Sequence, residues 1–153
     1  MKKCNRWISL CLALVLTLSF GMTALAAGAE KPILALGADL SSEQKATVLK
    51  LREIDGNDLA DYDVITVTNQ EEHQYLDAYL SSSVIGTKAL SSVLIRPAEE
   101  GAGLNVSTYN IRYCTIDMYT NALLTAGLED ADVYVAGPSN ISGTSALIGA
   151  VKG

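Results

Sequence analysis

Ser81 to Val93 reads SSSVIGTKALSSV, placing six hydroxyl-bearing side chains, a glycine and a lysine within thirteen residues. Two chemistries suit such a stretch. A serine nucleophile of the Ser-x-x-Lys type needs a serine three positions before Lys88, where Ile85 stands. A phosphate-cradling loop needs Gly-Lys as neighbours, whereas the order here is Gly86-Thr87-Lys88. The spacing fits neither, so the stretch reads as a join. A helix ends at Leu80, Gly86 permits the turn, and Ser91 and Ser92 alternate into a strand beginning near Leu90.

A second candidate is Gly137 to Ser145, GPSNISGTS, which follows a strand-like run and opens a helical one, as a phosphate loop does. Its glycines are six apart rather than five and no lysine follows Gly143. The turn at Ser142, Gly143 and Thr144 is still a candidate ligand-binding site, because a helix N-terminus presents backbone N–H groups to an anion. Ordinary helix capping is the competing reading.

Cys114 and His73 invite a nucleophile–base pair, but His73 lies among Gln70, Glu71, Glu72 and Gln74 and reads as a solvated helix residue. Cys114, near Tyr113 and Ile116, reads as a buried apolar side chain. Asp55, Asn57, Asp58, Asp61 and Asp63 crowd one turn with hard oxygen donors, yet Leu59 occupies the third ligand position of a calcium loop and Gly56 comes too early. No cysteine pair or histidine cluster has zinc spacing. Neither metal nor cofactor is expected. Seven tyrosines remain, of which Tyr109 and Tyr113 fall on one face of a strand by the two-residue period and form a second candidate binding surface.

The elements that must position these residues are legible from capping and periodicity. Ser41 with Gln44 has capping-box spacing and opens a helix over about Ser42 to Ile54. Val64 to Thr68 is a β-branched strand, and Thr68 or Asn69 caps a helix to Leu80 with Glu71 and Glu72 in its first turn. Leu90 to Arg96 and Leu104 to Tyr113 read as a hairpin around the AEEGAG turn. A helix over Thr115 to Ala126 stops at Gly127, Asp132 to Ala136 is a fourth strand, and SGTSALIGAV begins a last helix. The order βαββαβ, with a helix before and another after, predicts an α/β (α+β) ferredoxin-like domain with a mostly antiparallel sheet and two helices on one face. The alternative is a three-layer sandwich in which the outer helices cover the other side.

The first residues set the compartment. Lys2, Lys3 and Arg6 precede an apolar run from Trp7 to Phe20, and Ala24-Leu25-Ala26 offers a small-x-small cleavage pattern. Residues 1–26 are expected to be a cleaved secretory signal, with residues 27–153 forming one domain. Cleavage would remove Cys4 and Cys11, leaving Cys114 unable to form an internal disulfide. It would also remove three basic residues, leaving eight Lys and Arg against 17 acids and a net charge of −9. Such a chain is repelled by nucleic acid and anionic surfaces, and no stable membrane span is expected after cleavage. The chain stops at ALIGAVKG, a few turns into the last helix, which reads either as a frayed terminus or as a fragment of a longer protein.

The segments ALGADLSSEQ, VTNQEEHQYL, SSSVIGTKALSSVLI, NVSTYNIRYCTIDMYTNALLTAG and VAGPSNISGTSAL carry a resemblance. Together they resemble the YpuA-like family of secreted proteins of Gram-positive bacteria, whose domain is of unknown function (DUF1002). The resemblance implies an exported protein of a family whose members are longer, and it supplies no catalytic residues. From the residues themselves the expected function is that of a non-catalytic cell-envelope binding or interaction module, its partner an envelope component or a protein. The alternative is a wall-associated hydrolase using Cys114, a serine of the Ser81 stretch or an acid pair that no pattern identifies.

Overall fold

A computed structural model describes residues 31–56 and 59–153. The expected signal peptide of residues 1–26 therefore lies outside the described residues, as do Asn57 and Asp58 of the acidic turn.

The first element of the described residues is a strand absent from the sequence reading, β1 (Ile33–Gly37). Its ILALG run is apolar on both faces and shows no alternation, which is how a strand in the middle of a covered sheet reads. Strand β2 (Asp63–Val67) lies parallel to it on one side and β3 (Ser92–Pro97) antiparallel on the other. Strand β5 (Ala131–Ile141) pairs antiparallel with β3 and parallel with β4 (Leu104–Ile111), so the order is β2-β1-β3-β5-β4. The sheet is mixed, and the antiparallel ferredoxin-like arrangement does not hold.

The expected hairpin fails for a physical reason. β5 carries Val133 and Val135, both fully buried, and takes a place with neighbours on each side. β4 carries Asn105, Ser107, Thr108 and Asn110 and is left at the edge, where polar side chains reach water. Thus Val135 faces Val93 while Val133 faces Val106, and β3 never touches β4 in the ladder.

The helix starts follow their caps. Ser41 and Gln44 form the expected capping box of α1 (Ser42–Lys50), and of the two candidate caps of α2 (Asn69–Leu76) it is Thr68 that caps, in a second capping box with Glu71. Both helices are shorter than their apolar patterns suggest. Glu53 adopts a left-handed φ of 55° and turns Ile54 back, so that its N–H reaches the Leu49 carbonyl at 3.1 Å. After Leu76 the chain turns and makes a single short helix, α3 (Ser82–Ile85), inside the serine-rich stretch. α4 (Ile116–Ala126) runs from its Thr115 cap to left-handed Gly127, as expected, and α5 (Thr144–Lys152) closes the described chain.

Three layers result. Val67, Val93, Val133 and Val135 face α2, α4 and α5, whereas Leu34, Leu36, Leu94 and Ala136 face Val48 and Leu49 of α1. The first helix does cover the opposite side, as the three-layer alternative had it, but the last does not. α5 joins α2 and α4 and is buried from Thr144 through Ala150. No helix among the described residues is long and apolar enough to cross a membrane.

Candidate functional site: a hydroxyl-lined cleft and an apolar groove

The two near-miss motifs come together in space. Residues from Ser83 to Ser91 form one wall, and Ile141, Ser142, Thr144 and Ser145 the other, of a cleft of about 370 Å3. Most of its hydroxyls are committed to holding the fold. The Ser91 and Ser145 hydroxyls bond at 2.8 Å, and Ser91 Oγ accepts the Ala146 N–H at 2.8 Å. Because Gly143 has no side chain with which to cap α5, Ser91 supplies the cap from across the cleft. Ser142 Oγ lies 3.1 Å from Thr144 Oγ1, and the Thr144 hydroxyl donates to Glu72 Oε1 at 2.6 Å.

Glu72 is 1 % exposed, and burial raises its pKa against the opposing pull of hydrogen bonds from Thr144 and Asn69. It ties the start of α2 to the start of α5. Among the three candidate residues, Gly143 faces inward. Its φ is 98°, and a Cβ there would meet the Tyr119 hydroxyl at 2.5 Å. Its carbonyl accepts the Tyr119 O–H at 2.8 Å. Ser142 and Thr144 do line the cleft.

The tyrosine pair is not one surface built by strand alternation. Tyr109 lies on β4 opposite Ala136, but left-handed Asn110 interrupts the pairing and β4 ends at Ile111. Tyr113 belongs to the turn before α4, with its N–H on the Ser142 carbonyl. Both rings are exposed, each on its own segment. Tyr134, on the α1 side of β5, instead has the guanidinium groups of Arg52 and Arg96 at 5.5 and 5.6 Å from its ring centre.

Cys114 and His73 form no dyad. Cys114 is 4 % exposed, hydrogen-bonded with Tyr119, and burial pushes its thiol up to about 11, so the thiolate is scarce at neutral pH. His73 places Nδ1 2.7 Å from Asp77 Oδ1 and Nε2 3.0 Å from the Gly86 carbonyl. Among the described residues no three His, Cys, Asp or Glu side chains converge in a way that could hold a metal ion.

A second concavity, unread in the sequence, is a groove of about 410 Å3 between α2, α4 and α5. It is lined by Tyr75, Leu76 and Tyr79 from α2 and the turn after it, by Ala122 of α4, and by Leu147, Ile148 and Val151 of α5. Tyr79 is 82 % exposed. An ion pair between Lys152 and Glu71, at 2.5 Å, marks one rim and holds the Glu71 carboxyl down to about 2. Tyr75, Leu76, Tyr79 and Leu80 read in the sequence as the apolar face of one helix, but the chain leaves α2 at Asp77, and of the four only Tyr75, Leu76 and Tyr79 line the groove.

A five-stranded mixed sheet covered by helices on both faces defines an α/β domain. The chain belongs to the family of proteins of unknown function DUF1002, whose model matches residues 36–153, from within β1 to the end of α5. It is similar to the uncharacterised protein YpuA of Bacillus subtilis (strain 168), with 46% identity over 147 residues. That match takes in 95% of this chain and 49% of YpuA, so the chain spans about half the length of the curated relative it matches. No solved structure matches the chain.

Proposed function

We propose that the chain is an exported, non-catalytic interaction module of the cell envelope, docking a polypeptide in the groove between α2, α4 and α5. The observation that carries this reading is the groove itself: Tyr75, Tyr79 and Val151 are exposed beside buried Leu147 and Ile148, an apolar concavity rather than scattered surface residues. The proposed occupant is the part of the longer relatives outside the matched region, since YpuA carries about half its length there. The hydrolase alternative has less support, because Cys114 is buried with its thiol pushed up to about 11, and His73 faces Asp77 and the Gly86 carbonyl rather than Cys114.

The experiment compares hydrogen exchange in this chain with that in full-length YpuA. The segments matching α2 and the last turns of α5 are expected to exchange at least tenfold more slowly in the full-length protein, the α1 segment remaining unchanged. Equal exchange in both proteins would remove the occupant. Turnover of wall material by the purified chain would restore the hydrolase.

A further inference from the structure

His73 stands between two hydrogen-bond acceptors. Asp77 Oδ1 lies 2.7 Å from Nδ1, and the Gly86 carbonyl lies 3.0 Å from Nε2. A carboxylate and a carbonyl can only accept, so both bonds form at once only when each ring nitrogen carries a proton, that is, in the imidazolium. Neutral imidazole has one N–H. Whichever tautomer it adopts, a ring lone pair is turned toward an oxygen lone pair. The charge-assisted bond to Asp77 is the stronger of the two, so the Gly86 contact is the one given up.

Gly86 lies in the wall of the hydroxyl-lined cleft, with a φ of 80° that only glycine adopts readily. Besides the bonds of Ser91 to α5, this wall is tied at Gly86 and Ala89: Asn69 Nδ2 donates to the Gly86 carbonyl at 3.3 Å, His73 donates to the same oxygen, and Asp39 accepts the Ala89 N–H on Oδ2 at 2.7 Å while its own N–H donates to the Ala89 carbonyl at 3.1 Å. Of these the histidine tie alone titrates near neutrality.

We infer that His73 is a proton-operated latch, which pins the Ser82–Lys88 wall of the cleft when protonated and releases it when neutral. The charged groups facing the ring are Asp77 and Glu72 of its own helix, both of which favour the imidazolium. The loop packed against it presents the Gly86 carbonyl and carries Lys88 two positions further on. The hydrogen bonds to Asp77 and Gly86 raise the His73 pKa above its ordinary value. The sign follows from a raised folded-state value: the latch is complete below about 6.5 and is lost as the pH climbs through the folded-state pKa. This inference concerns the cleft and does not depend on what occupies the groove.

The test is NMR of the full chain between pH 5 and 9, following the His73 ring together with amide exchange, corrected for intrinsic rates, at Gly86 and Thr87. Exchange there is expected to quicken about tenfold or more as the ring deprotonates. Asp77→Asn should lower the ring's pKa and move the exchange step with it. In His73→Ala the step should vanish, leaving the loop in its fast state at every pH. Exchange that stays level through the ring's own titration, or a step that survives in His73→Ala, would overturn the latch. If His73→Ala fails to fold, Asp77→Asn decides alone, and a ring pKa that moves without the step contradicts the inference.

Discussion

Tyr119→Ala is expected to lower the unfolding free energy by about 3–5 kcal/mol, a large share of the roughly 5–15 kcal/mol that holds a domain of this size together. Tyr119 heads the largest fully buried side chains and has 0% exposure. Its ring packs in the core with Cys114, Leu123 and Val133, and its hydroxyl donates to the Gly143 carbonyl at 2.8 Å. Truncation opens a cavity and also removes one of the two hydrogen bonds to that carbonyl, which keeps the Leu147 N–H at 3.1 Å. Tyr119→Phe separates the two effects, because it keeps the ring and should cost only about 0.5–1.5 kcal/mol for the lost hydrogen bond, the carbonyl remaining paired with the Leu147 N–H. Urea unfolding of both variants measures this. A loss below about 1 kcal/mol for the alanine variant would mean that the ring is not the keystone between α4 and α5.

At Gly149 two effects oppose each other. On helix propensity alone, Gly149→Ala should stabilise α5 by about 1 kcal/mol. Gly149, however, lies against the sheet, and a Cβ there would sit 2.6 Å from Ala35 Cβ and 3.3 Å from Val93 Cγ1. Neither neighbour is a flexible side-chain tip and 2.6 Å is closer than Cβ atoms approach, so the helix itself must lift, at a cost in the upper part of the overpacking range, about 2–3 kcal/mol. Packing wins. Gly149→Ala is expected to be less stable than the parent by about 1–2 kcal/mol, and Gly149→Val by about 3 kcal/mol or more. Thermal and urea unfolding give both numbers, and an alanine variant as stable as the parent would show that α5 does not rest tightly on β1 and β3.

What the sequence disclosed, it disclosed through local chemistry. The spacing of Ser41 to Gln44 located one helix start, Glu71 and Glu72 in a first turn located a second with its cap open between Thr68 and Asn69, and Thr115 with Gly127 located both ends of α4, because caps and end charges act within one turn. Strand order was not legible. Whether β3 pairs with β4 or admits β5 between them is a competition for the central places of the sheet, settled by burial across the whole domain. β1 was missed because its uninterrupted ILALG lacks the alternation that announces a half-buried strand. The cleft was half visible, since both walls had been singled out, but not that Ser91 caps α5 or that Glu72 is buried beneath Thr144. The groove was hidden because it draws on three helices far apart in sequence.

The most direct test of the interaction-module reading places a photo-crosslinking amino acid in full-length YpuA at the position aligned with Tyr79, with a second at the position aligned with half-buried Lys45 of α1 as control. Tyr79 borders the groove, and Lys45 lies on the other face of the sheet. The account predicts that irradiation joins the first site, and not the second, to a peptide from outside the matched region, and that aspartate at the position aligned with Val151 abolishes the product. Crosslinks from the Tyr79 position only to wall polymer or to a second copy, or equal crosslinking from the two positions, would contradict it.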